Sequence, residues 1–100
     1  MTPNTLMKFH QAVDGMIEVS QLAELRYEAR HQRLKTVEEC AELIVALMHY
    51  DQDRGTRAAV NEEAADVLFT IIHLFTQSPE PFIDFMQLKT DRLRGRLSGE

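Results

Sequence analysis

Two apolar stripes at helical spacing, separated by a short connector, constrain this chain more than any other feature. Leu34, Val37, Ala41, Ile44 and Met48 step by 3, 4, 3 and 4 residues. Val60, Ala64, Val67, Ile71 and Leu74 follow the same kind of rhythm after Gln52-Asp53-Arg54-Gly55. That period puts each set on one side of an α-helix and predicts a seam packed on a neighbour. A connector this short turns the second helix back along the first. Thr56 is in position to cap the second helix with its hydroxyl.

The rest of the chain reads in the same way. No proline occurs between Pro3 and Pro79, and no run of alternating β-branched residues suggests a strand. A first helical region begins near Thr5 and carries Leu6, Phe9, Val13 and Ile17, followed by Leu22, Leu25 and Ala29. Asp14-Gly15 is a point where it can bend, so one bent helix and two helices are both open. Gln77-Ser78-Pro79-Glu80-Pro81 reads as a rigid connector, with a last helix from near Phe82 carrying Ile83, Phe85, Met86, Leu88 and Leu93. The expectation is one all-α domain over residues 1–100, four-helix-bundle-like, with antiparallel helices.

Composition narrows the function classes. A net charge of −5 argues against a general nucleic-acid binder. A single cysteine, Cys40, cannot make an intrachain disulfide and reads as a small buried residue. No apolar run approaches the roughly 20 residues of a membrane span, and the N-terminus lacks a signal-peptide layout. A cytoplasmic protein that touches neither nucleic acid nor membrane is expected.

The acids carry the chemistry. Glu39 and Glu42 are three apart, and so are Glu63 and Asp66, so each pair shares a helix face. In an antiparallel hairpin Glu42 and Glu63 lie at comparable distances from the turn, and the four carboxylates can converge. Converging carboxylates repel unless a hard cation sits between them. Mg²⁺, with Mn²⁺ as the alternative, suits oxygen ligands and commonly shares its shell with substrate phosphates. The competing reading is that helix acids are ordinarily solvated, which suits Glu38 and Glu62. Asp66 resists it, being a poor helix former set between Ala65 and Val67.

VEECAEL (37–43) followed by NEEAADVL (61–68) resembles the MazG-like all-α nucleoside triphosphate pyrophosphohydrolases. Their signature is E-E-x-x-E, a spacer, then E-x-x-D. Here it reads Glu38-Glu39-x-x-Glu42, twenty intervening residues, then Glu63-x-x-Asp66. The tail KTDRLRGRL is similar to the last helix of small phage- and integron-type members. The likeness runs from about Gln32 to Leu97.

The resemblance implies Mg²⁺-dependent cleavage of a nucleoside triphosphate between the α and β phosphates. It implies Glu39, Glu42, Glu63 and Asp66 as metal ligands. Glu38 would sit beside the site, either supporting the ligands or orienting water, and with Glu39 is expected as the catalytic pair. Lys89 and Arg92, with Arg96 on the same face, would contact phosphate. Basic residues near a helix end also suit its dipole, which is the reading for Arg94. Lys35, one turn before Glu39, reaches either a phosphate or Glu39 itself. The family also implies a homodimer or homotetramer, which agrees with a small core and several apolar seams.

Two departures matter. Where some relatives carry a Lys four residues before the E-x-x-D glutamate, this chain has Ala59, leaving Arg54 or Arg57 to substitute. EEAAD is reminiscent of phosphoribosyl-ATP pyrophosphohydrolases, but Val37 stands where their Gly is expected, so that substrate ranks second. Preference for dUTP or dCTP is a further option, and a non-catalytic interaction module is the alternative outside enzymes. A di-iron site is not supported: Ala46 and Thr70, rather than glutamates, stand three residues before His49 and His73. Those histidines read as pocket or partly buried residues.

Overall fold

The computed structural model describes residues 1–99. They form four helices: α1 (Pro3–Glu24), α2 (Ala29–Asp51), α3 (Arg57–Gln77) and α4 (Pro79–Gly99). No strand occurs among the described residues. α3 is central. It packs most extensively on α2, next on α1 and least on α4.

Local chemistry sets the boundaries. Thr2 caps α1, its hydroxyl accepting from the Thr5 N–H at 3.1 Å, with Pro3 at the first helical position. α1 runs unbroken through Gly15, and the chain turns instead at Leu25–Glu28. α2 ends in a Schellman motif: the Arg54 N–H donates to His49 C=O at 2.8 Å and the Asp53 N–H to Tyr50 C=O at 3.2 Å. Asp53 takes the left-handed position with φ 58°. The turn is tight at Gly55, where a Cβ would stand 3.1 Å from His49 Cβ and 3.3 Å from the Tyr50 backbone N.

Thr56 caps α3 as expected, its Oγ1 accepting from the Ala59 N–H at 3.1 Å. Thr56→Ala is expected to cost about 1 kcal/mol of stability, measured by chemical denaturation.

The connector before α4 is shorter than expected. Only Ser78 separates α3 from α4, and Pro79 and Pro81 fall inside the first turn of the last helix. Helical N–H groups have no partner there, so proline's missing donor costs nothing. Phe82 packs edge-on against Phe75, with ring centroids 5.7 Å apart, and ties the start of α4 to α3.

Packing departs from the expected seams in one large respect. α3 turns Val60, Val67, Ile71 and Leu74 inward, and α1 does the same with Val13 and Ile17. On α2 the stripe Leu34, Val37, Ile44 and Met48 faces solvent, with exposures of 56, 67, 61 and 52%. The inward face of α2 is Thr36, Glu39, Cys40, Leu43 and Ala46. Leu6 and Phe9 on α1, and Phe85, Met86, Leu88 and Leu93 on α4, are exposed as well.

Among the described residues Val60 is the one hydrophobic residue that is buried, at 7% exposure. The radius of gyration, 15.9 Å, exceeds the roughly 13 Å of a compact chain this long. No helix is long and apolar enough to cross a membrane, among the described residues.

Candidate functional site

The buried side chains of this protein are mostly polar: Ser20, Glu39, Thr70 and His73. Glu39 is the informative one. It is 7% exposed, and a carboxylate that far out of water is costly without partners. α2 delivers it to the α3 interface because it shares the inward face with Cys40, Leu43 and Ala46. α3 brings Glu63 and Asp66 opposite, one turn apart. Ligand oxygens of Glu39, Glu63 and Asp66 all lie within 4.8 Å of one another.

The partners of these acids are few. Lys35 Nζ lies 3.0 Å from Glu39 Oε1 and 3.7 Å from Glu38 Oε2. The hydrogen bond to Glu39, then the charges of Glu38 and Glu39, push the Lys35 ammonium above its ordinary range. Glu39 Oε2 and Glu63 Oε2 are buried and accept no hydrogen bond within the chain. Two orphaned, inward carboxylate oxygens beside a third acid form the donor set a hard cation fits.

Glu42, exposed like Asp66, flanks the trio. The charge of Glu39, then desolvation, then the charge of Glu63, hold its carboxyl above the usual range. Protonated or not, it senses the same concentration of negative charge that a cation would relieve. Glu38 is exposed beside Lys35.

Two clefts flank the trio. One, of about 410 Å³, is lined by Ala41, Glu42, Val45, Ala46, His49, Ala59 and Glu63. The other, of about 350 Å³, is bordered by Glu39, Asp66 and Lys35 and walled by Tyr27, Phe69 and His73. Three of the four acids expected as ligands are therefore assembled, with the fourth alongside.

The expected phosphate contacts are not. Lys89, Arg92 and Arg96 are exposed on α4 and line neither cleft. Arg94 pairs with Asp91 at 3.4 Å. The two arginines considered in place of the missing lysine have local partners. Arg57 Nε donates to Asn61 Oδ1 at 2.9 Å, and Arg54 to Gln52 Oε1. His49 is exposed on one cleft, while His73 is 3% exposed and lines the other.

The second cleft was not foreseen from the sequence, although its signal is there. Gln32, Lys35 and Glu39 step by 3 and 4 along α2, and Asp66, Phe69 and His73 step by 3 and 4 along α3. Both series continue the acid faces away from the connector. Comparison with protein-family models, with curated proteins and with solved structures gave no match to this chain.

Proposed function

We propose that this chain is a Mg²⁺-dependent nucleoside triphosphate pyrophosphohydrolase of the MazG-like type. It would cleave between the α and β phosphates to give the monophosphate and pyrophosphate. The observation that carries the reading is the trio Glu39, Glu63 and Asp66, with two buried oxygens lacking partners. Those three belong to the E-E-x-x-E and E-x-x-D pattern, and packing gathers buried Glu39 and half-buried Glu63 with exposed Asp66.

Glu39, Glu63 and Asp66 would hold the ion, with Glu42 joining from the flank. The ion, when bound, supplies neutralisation of phosphate oxygens and eases deprotonation of water. Lys35 keeps the Glu39 carboxylate oriented and balances part of the charge. We assign Glu38 the role of orienting the attacking water and accepting its proton. The water oxygen bonds to the α-phosphorus, the bond to the bridging oxygen breaks, and pyrophosphate leaves. In-line positioning is the main further requirement.

A single copy leaves this site short of cations. Lys89, Arg92 and Arg96 would serve as phosphate contacts only where α4 of another copy reaches the acids. The exposed stripes of α2 and α4 favour such an assembly, and we read the protein as a homodimer or homotetramer.

The test is pyrophosphate release from ribo- and deoxynucleoside triphosphates and phosphoribosyl-ATP, with Mg²⁺ and with chelator. Metal-dependent release from at least one substrate is expected. A folded protein that releases none, whatever the metal, would overturn the enzymatic reading in favour of a helical interaction module.

A further inference from the structure

We infer that the cleft between the α1–α2 turn and α3 is the nucleobase subsite, with Tyr27, Phe69 and His73 as its specificity-determining residues. The inference rests on the nucleotide reading of the acid trio and deepens it.

Position is the first argument. The cleft is bordered by Glu39 and Asp66, two members of the trio, and by Lys35. A ligand whose phosphates sit at the acids enters it without a bend around another helix. Its volume of about 350 Å³ falls within the size range of small-ligand pockets. The cleft on the other side of the trio has alanine and valine walls with His49 and no larger aromatic ring.

Lining chemistry is the second. Tyr27 stacks on His31, with ring centroids 5.3 Å apart and planes inclined by 23°. Tyr27 is half-exposed, so the aromatic pair stands at the mouth. Phe69 is half-buried deeper in the wall. Flat aromatic faces that leave solvent access suit stacking by a planar heterocycle.

Polar groups stand where the edge of such a ring needs them. His73 and Thr70 are buried at the floor, and Gln32 is half-buried on α2. The Gln77 side-chain amide donates to His73 Nε2 at 3.1 Å, so the ring proton belongs on Nδ1. Thr70 Oγ1 donates to Val67 C=O at 2.8 Å and keeps its lone pairs as acceptors. An amide, an acceptor hydroxyl and a tautomer-fixed imidazole together complement the mixed donor–acceptor edge of a nucleobase. A purely hydrophobic ligand would leave the Gln32 amide and the Thr70 lone pairs without a partner in the cleft.

The experiment has two arms. In the first, amide resonances of the full-length protein are followed by NMR during titration with adenosine, guanosine, cytidine and thymidine, without metal. At least one nucleoside is expected to shift Tyr27, Gln32, Phe69 and His73 and to leave α4 unmoved. In the second, Tyr27→Ala and Phe69→Leu are compared with wild type for Mg²⁺-dependent binding of the best triphosphate and of tripolyphosphate, which has no base. Nucleotide binding is expected to weaken roughly ten- to hundredfold in Tyr27→Ala, with tripolyphosphate binding unchanged.

His73→Asn is expected to change the ratio of KM values between bases more than kcat. Tyr27 is exposed, so its variant carries little risk of misfolding. Nucleoside shifts elsewhere, or equal losses for nucleotide and tripolyphosphate, would overturn the subsite. A wild-type protein that binds nucleosides in the cleft but releases no pyrophosphate would overturn the reaction and leave the subsite standing.

Discussion

Glu63→Gln is expected to cut metal-dependent pyrophosphate release by about a hundredfold or more and, in the metal-free protein, to raise thermal stability. The two effects have one cause. Glu63 Oε2 is buried without a hydrogen-bond partner, and a Glu63 carboxylate oxygen lies within 4.8 Å of oxygens of Glu39 and Asp66. Replacing the carboxylate by an amide of the same shape removes one of three mutually repelling charges. It also adds N–H donors that can reach the remaining acids.

An unsatisfied buried group costs about 1–3 kcal/mol, so a gain on the order of 1 kcal/mol is reasonable. For a chain of this size that raises Tm by roughly 4 °C or more. The same substitution deletes a proposed metal ligand. Loss of groups that merely support ligands costs 10–100-fold, so loss of a ligand should reduce turnover by about a hundredfold or more. The check is a paired measurement, scanning calorimetry with and without Mg²⁺ alongside the pyrophosphate assay. Wild type should gain stability with metal, and the variant should not. A variant that loses stability in the absence of metal and still responds to Mg²⁺ would mean the trio is a structural acid cluster.

Ile44→Asp is expected to dissociate the proposed homo-oligomer and lower stability by about 2 kcal/mol or more per subunit. Ile44 is 61% exposed in the single chain, beside Val37 and Met48 on the same stripe. With Val60 the one buried hydrophobic residue among those described, the isolated fold has little apolar burial to set against chain entropy. Covering the α2 stripe with another copy, as proposed, would supply it. Burying one isoleucine side chain contributes about 1.5–3 kcal/mol, and an aspartate in its place adds desolvation cost.

Sedimentation or light scattering at micromolar concentration gives the mass to compare with the 11.5 kDa of one chain. A multiple of that value is expected for wild type, falling in the variant. A stable wild-type monomer with unchanged behaviour in Ile44→Asp would remove the oligomer from the proposal. The placement of Lys89, Arg92 and Arg96 near phosphate would go with it.

The α2 stripe also shows why part of the fold was legible in the sequence and part was not. Helix α2 carries two apolar faces. One holds Leu34, Val37, Ile44 and Met48, the other Cys40, Leu43 and Ala46 around Glu39. Periodicity reports that a face exists but does not rank two faces of one helix. The larger side chains made the first stripe the natural choice for the intrachain seam. The chain instead turns the second, smaller face toward α3, and the acid rides inward with it.

The α4 boundary failed for a different reason. In sequence Pro79 and Pro81 suit a connector, although a helix's first turn tolerates prolines equally well. Only the Phe75–Phe82 packing shows which option the chain takes.

Short-range chemistry was therefore determined by the sequence alone. The helical periods, the Thr56 cap, the turn at the end of α2 and the i, i+3 spacing of the acids all depend on residues a few positions apart. Such interactions are present in the local chain whatever the rest does. The tertiary structure decided what depends on distant residues. It selected which face of α2 meets α3, and it gathered buried Glu39, half-buried Glu63 and exposed Asp66 while Glu42 stays on the flank. It also opened an aromatic cleft where the α1–α2 turn approaches α3. Those outcomes follow from how whole helices share a small interior, a competition that no local pattern encodes.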